Sequence, residues 1–438
     1  MSADLINRAG DAVAILVEAG ADDAWATANV SRDVEFSYRD GALEKVQDTT
    51  SRSLDVQVYA NGRYSSHQTT DLKSDRLQDF LKEAVAITGA LEPDPERDMI
   101  PAELFANRPE DDLELVDSAV QALDRDKRMS WCVALDDAAR DHERVISATS
   151  AVYDGSQSSA SISSNGFSGS QESTYCWMGA NITLRDRGDR RASDSFFAGA
   201  PHVGDVPEAG AIAATALDRS LLRLDAEKGP TIKAAMVVDS RAAAQLIGRL
   251  MGPANARSIQ QGRSFWADLI GEQAFSTTLS IVDDPLIVRG LASRHYDREG
   301  ISAKVLPIVD KGVVQNVYVD TYYGRKAGMQ PTTGNPSNRR IINGRQTLED
   351  LLSEVGSGVY VTSWLGGNAD GTTGDFSLGL RGHMIDNGKA GRPVGEMNVT
   401  GNLRDLFSRL AAVGNDPYPY SGTLAPSLVF ADVDFSGA

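Results

Sequence analysis

The chain has 438 residues, with 43 Lys and Arg against 61 Asp and Glu, a formal net charge of −18, 41% hydrophobic and 24% charged residues. That balance suits a soluble globular protein, and no apolar run approaches the ~20 residues of a membrane-spanning helix. The acidic excess argues against direct nucleic-acid binding, whose affinity comes from basic residues displacing counterions, and the length predicts two or three domains.

At the N-terminus "AVAILV" mimics a leader, but Asp4, Asp11 and Glu18 interrupt it, no basic stretch precedes it, and its apolar positions recur at helical spacing. We expect an amphipathic helix and a cytoplasmic protein. Two cysteines, Cys132 and Cys176, fit that compartment and read as buried apolar thiols, with room for a single bridge at most. A strand-rich stretch follows, with a hairpin at Asn61-Gly62, where both central residues of a type I′ turn need positive φ. Helices are expected over 74–88, 113–125 and 131–141, separated by an acidic, Pro-rich connector. Strands return with turn pairs at Asp154-Gly155 and Asn165-Gly166, their serines placed to face solvent, and a long helix from Glu208 closes this half. The fold class is α+β: an N-terminal helix–antiparallel sheet domain over residues 1–229, then a β-rich C-terminal domain over 230–438. In the second part a hairpin about Lys311-Gly312 precedes a short helix. Further helices are expected at 241–252, 347–355 and 402–411, and further strands at "SGVYVTSW", "DFSLGLRGHMID" and "SLVFADVDF".

Tests for familiar chemistry are mostly negative. "GGNADGTTGDF", from Gly366 to Phe376, has the glycine separation of a phosphate loop, but Thr372-Thr373 stand where Lys-Ser or Lys-Thr is required. Read as a calcium loop about Gly371, it lacks both the first carboxylate and the last glutamate, so turn chemistry is the better reading. His67, His142, His202, His295 and His383 are not paired at ligand spacing, and no nucleophile elbow occurs. The densest polar cluster carries Asp283, Asp284, Asp297 and Glu299, which read either as paired carboxylates for acid–base work or as caps of nearby backbone amides.

Across its C-terminal half and, more loosely, the N-terminal helix–sheet region, the chain resembles the TldD/PmbA family, once named modulators of DNA gyrase. The resemblance lies in "GRSFWADLIGEQAFS", "VDDP", "SRHYDREGISAKV", "VDKGVVQNVYVDTYYGRKAG", "GNPSNRRI" and "GVYVTSWLGGNADGTTGDFSLGLRGHMIDNGK", in that order. Members of the TldD branch are zinc peptidases with a His-Glu-x-x-x-His helix and a downstream Cys ligand. The PmbA or TldE branch lacks these and pairs with TldD. The positions corresponding to the histidine helix here are Ile247 to Gly252, "IGRLMG", which offers no zinc ligand, and both cysteines lie upstream. The resemblance therefore implies the TldE/PmbA branch. Such a subunit has no catalytic or metal residue and no bound cofactor, with zinc expected on a TldD-type partner subunit, and its substrate is an unfolded peptide held as an added β-strand. Neither nucleic acid nor membrane is implied, and a homodimer without the partner is left open. Ser264, Asp297, Glu299 and Gly300 in one block, and Gly366, Gly367 and Asn368 in another, are the peptide-cleft candidates. Two rival readings are a self-sufficient hydrolase built on the carboxylate cluster and a homodimeric peptide-binding scaffold.

Overall fold

A computed structural model describes residues 2–437. It is α+β. The N-terminal half runs α1 (Ser2–Glu18), β1 (Asp23–Arg39), β2 (Ala42–Ala60), β3 (Arg63–Thr69), α2 (Ser74–Gly89), α3 (Ser118–Gln121), α4 (Arg125–Ala139), β4 (Val145–Ser163), β5 (Ser168–Arg185), β6 (Arg191–Ala200) and α5 (Ala209–Leu221). Its strands form one antiparallel sheet in the order β3-β2-β1-β4-β5-β6. Helix α1 buries Leu5, Ala9, Ala12, Val13 and Leu16, one apolar stripe, against Ala26, Ala28, Leu54 and Val56 of the sheet. Helices α4 and α5 cover the same sheet further along, through Trp131, Leu135, Ile212 and Ala216. All four long helices thus lie on one face, and the other face is left to the C-terminal half.

That half runs β7 (Glu227–Lys228), β8 (Ile232–Val238), α6 (Ser240–Met251), α7 (Ala256–Gln260), β9 (Ile281–Asp284), β10 (Leu306–Asp310), β11 (Val313–Val314), α8 (Thr321–Ala327), β12 (Asn338–Ile341), α9 (Leu348–Val355), β13 (Gly358–Ala369), β14 (Asp375–Asp386), β15 (Lys389–Asn402), α10 (Leu403–Ser408), β16 (Leu410–Val413), β17 (Thr423–Leu424) and β18 (Leu428–Ser436). A seven-stranded sheet has the order β16-β18-β8-β13-β14-β15-β7, and a five-stranded sheet the order β11-β10-β9-β12-β17. Helix α6 is buried in the core that both sheets share, through Ala242, Leu246, Ile247, Leu250 and Met251, and the Asp239 side chain caps its first turn by accepting from Arg241 N at 3.0 Å. Helix α9 covers the opposite face of the larger sheet.

Several local expectations change. Asn61-Gly62 and Asn165-Gly166 are turns, with Asn61 at φ 53° and Gly166 at φ 99°, but Asp154-Gly155 lies in the middle of β4. There Asp154 is buried and accepts two 2.6 Å hydrogen bonds from Arg128 of α4, while a Cβ on Gly155 would come within 2.2 Å of Arg32 O and 2.7 Å of the Tyr175 hydroxyl. The helix expected over 113–125 shrinks to α3, because Leu113 to Asp117 instead form an extended strap that donates and accepts across β5. The helix expected to reach residue 411 stops at Ser408, and β16 begins at Leu410. The strand β15 falls outside the sequence expectations.

The Arg128–Asp154 pair is almost fully enclosed, with side-chain exposures of 5% and 2%. Removing one member strands the other charge in a low-dielectric interior. Arg128→Met is expected to lower the unfolding free energy by about 3 to 5 kcal/mol, and adding Asp154→Leu to restore a large part of it, as urea melts would measure.

Candidate functional site

The cleft candidates fall into two groups. Asp297, Glu299 and Gly300 form a tight turn at the junction of the two halves. Gly300 has φ 89°, and a Cβ there would lie 2.8 Å from both the Trp25 and the Phe167 rings. Those rings are stacked at 4.6 Å, with Tyr296 edge-on to Phe167 at 5.1 Å, so glycine is the residue that lets this turn seat on them. Both oxygens of Asp297 are occupied: Oδ1 accepts from Glu299 N and Ile301 N, Oδ2 from the Thr333 hydroxyl and Gly334 N, all between 2.9 and 3.0 Å. Asp283 is held likewise, by Tyr318 OH at 2.9 Å and by the Ser337 amide at 2.8 Å and hydroxyl, and Asp284 accepts from Leu286 N. Three of the four carboxylates thus organise loops, as the capping alternative expected.

Glu299 is the exception in its electrostatics. It accepts from Thr321 N at 2.9 Å and from the Thr321 hydroxyl at 2.8 Å. Burial raises it from the ordinary 4.5 to about 7; the Thr321 hydrogen bonds oppose the rise, and the charges of Asp297 and Asp320 add to it.

Ser264, Gly366, Gly367 and Asn368 make the second group. Ser264 is a helix-end device: its Oγ donates to Pro253 O at 2.6 Å and accepts from Trp266 N at 3.1 Å, while Trp266 Nε1 donates to Leu250 O at 2.9 Å, so this loop satisfies carbonyls left open where α6 ends. Phe265 N donates to Gly371 O at 2.9 Å and brings the loop against "GGNADGTTGDF". That stretch is not wholly a turn. Gly366, Gly367 and Asn368 belong to β13, and the turn is confined to 370–374, where Thr372 N donates to Asp370 Oδ1 and Gly374 adopts φ 84°. Gly366 and Gly367 have φ 123° and 108°, and a Cβ on Gly367 would stand 2.0 Å from Ser377 O across the ladder. Among the described residues no hydrogen bond joins this group to Asp297, Glu299 or Gly300.

What the two glycines shape is an open strand edge. On one side β13 pairs with β14 along its length; on the other β8 pairs only with Gly358 to Val361. From Thr362 to Ala369 the second edge has no backbone partner among the described residues, and Leu365 is 46% exposed. Helix α6 runs beside it, tied by Trp364 Nε1 donating to Ala242 O at 2.9 Å. The six positions 247–252 that correspond to a histidine helix bury Ile247, Leu250 and Met251 and carry no ligand, and no group of three or more His, Cys, Asp or Glu among the described residues could hold a metal ion. Zinc does not fit this helix. Cys132 and Cys176 are both free and buried, each pushed by desolvation up to about 12.

Sequence reasoning missed a polar cavity of about 560 Å³ on the helix-free face of the N-terminal sheet. Its wall is two rows in register, Ser53-Asn29-Ser159-Gln171 and Ser51-Ser31-Gln157-Ser173, and its rim is closed by His202 and His295, whose Nε2 atoms lie 2.7 and 2.8 Å from Glu114 O and Asp111 O. Alternating Ser and Gln in β4 and β5 were the available signal, and it was read as solvent exposure.

A carboxyl raised on folding stabilises the native state fully below its unfolded value and loses that contribution as pH rises through its folded value. Glu299 thus makes the fold less stable by at most about 3 kcal/mol between pH 4.5 and above pH 7. The change in unfolding free energy from pH 5 to pH 8, read from urea melts, is expected to be more favourable in Glu299→Gln than in the parent chain; an unchanged difference would contradict the assignment.

The PmbA/TldA metallopeptidase domain families match residues 28–88 (domain 1), 115–224 (central domain) and 231–437 (C-terminal domain). The chain is 26% identical to metalloprotease PmbA of Escherichia coli, over 96% of this chain and 94% of that one. It superposes on a protein from Bacteroides thetaiotaomicron, described as a modulator of DNA gyrase, with TM-score 0.95 and 34% identity over 99% and 98% of the two chains. TldE from Thermococcus kodakarensis, 16% identical, has the same fold, with TM-score 0.87 over 98% of this chain and 100% of that one. The chain belongs to the PmbA/TldD metallopeptidase family.

Proposed function

We propose that this chain is the TldE/PmbA-like, non-catalytic subunit of a heterodimeric zinc metallopeptidase, and that it holds unstructured peptides for a TldD-type partner that carries the metal. The observation that carries this reading is the free edge of β13 from Thr362 to Ala369 beside a helix α6 without metal ligands. An extended peptide added to that edge gains main-chain hydrogen bonds whatever its side chains, which suits a substrate class defined by being unfolded. Gly366, where a Cβ would meet nothing within 4 Å, leaves the strand bare, while Gly367 is required by the close approach of β14. Division into units at residues 229 and 230, and the cytoplasm as compartment, belong to the same proposal. The sheets separate near that point, both cysteines are free, and no helix among the described residues is long and apolar enough to cross a membrane.

A self-sufficient hydrolase is less well supported. A general base needs a free lone pair facing substrate, whereas Asp283 and Asp297 are enclosed and committed to amide and hydroxyl donors. Asp297→Asn is accordingly expected to act on stability, lowering the unfolding free energy by about 1 to 3 kcal/mol as an amide NH2 meets backbone donors.

Metal analysis of the purified chain is expected to find no stoichiometric zinc, and peptide cleavage to appear only on co-expression with a partner bearing His-Glu-x-x-x-His. One tightly held zinc per chain would overturn the proposal. Strand addition has its own test. N-methylating alternate amides of a short unfolded peptide should abolish binding in one parity and spare it in the other, since only every second amide faces the edge; equal tolerance of both parities would exclude it.

A further inference from the structure

Beside the open edge of β13 lies a second cavity, of about 490 Å³, formed where the end of α5 and the start of β6 meet strands β13, β14 and β15. Its electrostatics run against the rest of a chain with net charge −18. Arg190, Arg191, Arg223, Lys228 and Arg381 line it. The acidic residues on its wall are already paired: Asp186 with Arg190 at 3.6 Å, Glu396 with Lys228 at 3.6 Å, and Glu227 with Arg392 at 3.3 Å. Behind the wall Asp194 serves two cations at once, Arg223 at 2.6 Å and Arg219 at 3.5 Å. Neither Arg191 nor Arg381 has an acidic partner within ion-pair distance among the described residues, and Arg223 Nη1 is buried without an acceptor.

The cavity is joined to the strand edge. Thr362 and Leu365 of β13 are part of its wall, and Arg223 Nη2 donates to the Ser363 hydroxyl at 3.0 Å. Leu222, 58% exposed, and Leu365 give it an apolar side next to its cations. Burial lowers the Arg223 pKa; Asp194 opposes this and the nearby Arg381 charge adds to it. A ligand anion entering here would relieve that crowding of like charges and give Arg381 and Arg191 the acidic partner they lack.

We propose that this cavity binds a carboxylate of the peptide held on β13, supplied by the peptide's C-terminus or by an Asp or Glu side chain, with Arg381 and Arg191 as the receiving cations. The proposal rests on the strand-addition reading above and adds a charge preference to it. An edge strand reads backbone alone, so the cavity is what would set where along an unfolded chain the peptide comes to rest.

The test uses the full chain and a dye-labelled, otherwise neutral unfolded peptide in three forms: free C-terminal carboxylate, C-terminal amide, and C-terminal amide with one internal Glu. Fluorescence anisotropy is expected to show one or both carboxylate-bearing forms binding about tenfold more tightly than the neutral amide, a gain that shrinks with added salt. Which form gains identifies the source of the carboxylate. Arg381→Gln, at an exposed position, is expected to erase the gain, and Arg191→Gln to reduce it, in proteins whose melting curves match the parent. If the neutral amide binds but neither carboxylate adds affinity, or the gain survives Arg381→Gln, the carboxylate site is wrong while strand addition stands. If no form binds, strand addition fails and the carboxylate site with it.

Discussion

The seam between the two halves is what the rest of the structure depends on. Tyr296, from the C-terminal half, enters an apolar cluster with Trp25, Phe167, Met99 and Ile100 of the N-terminal half, and Gly300 lets the following turn lie flat on the Trp25–Phe167 stack. Nearby, the Arg325 guanidinium spans three carbonyls of the connector, those of Glu96, Asp98 and Met99, at 2.8 to 3.1 Å, and Arg97 stacks 3.4 Å above the Tyr322 ring. Aromatic burial supplies attraction here and the arginines supply registry, since a planar guanidinium satisfies several acceptors only in one orientation. A second set of contacts, Arg241 to Ser195 O at 2.7 Å and Tyr418 OH to Phe197 O at 2.9 Å, fixes β6 against α6 and the loop between β16 and β17. Without both, the open edge of β13 and the arginines at the end of α5 would not face the same space.

Helix α6, which the family resemblance aligns with a metal-binding helix, is core in this chain. Helix α6 points Leu246, Ile247 and Leu250 into the interior shared by two sheets, each fully enclosed, and a loop from Ser264 to Trp266 closes its end. On the proposed reading, positions that hold metal ligands in the partner have gone over to packing here, beside a retained edge strand. On the proposed reading this is a division of labour: one subunit keeps the peptide-facing strand, the other the chemistry. The two cavities differ in character, one rich in amides, hydroxyls and carboxylates, one cationic.

Much of the fold is legible locally. Asn61-Gly62, Asn165-Gly166 and Lys311-Gly312 announce turns because Gly62, Gly166 and Gly312 adopt positive φ at no steric cost, and the apolar stripes of α1 and α6 announce buried helices. What failed was decided at long range. Asp154-Gly155 has turn chemistry, but Arg128 of α4 neutralises the aspartate inside the sheet and Tyr175 needs the glycine's empty side. The strap from Leu113 to Asp117 was mistaken for helix because its partners are on β5, beyond any local window. Strand β15 was hidden by its glycines and proline, which a strand tolerates where register shifts and an irregular partner take up the strain. The candidate site was legible as blocks of residues but not as geometry. The donors that occupy Asp283 and Asp297 come from residues 333–337, and the two cationic residues without partners become visible only once β6 and β14 share a cavity.

The central claim is that an unfolded peptide lies along β13 as an added strand. Hydrogen–deuterium exchange of the full chain, with and without a saturating unfolded peptide, tests it most directly, because strand addition converts solvent-exposed amides into laddered ones. The account predicts slowed exchange confined mainly to Thr362 through Ala369, with the flanking turn at 370–374 little changed. Bound peptide that leaves those amides exchanging as before, or that protects a different strand edge, would contradict it.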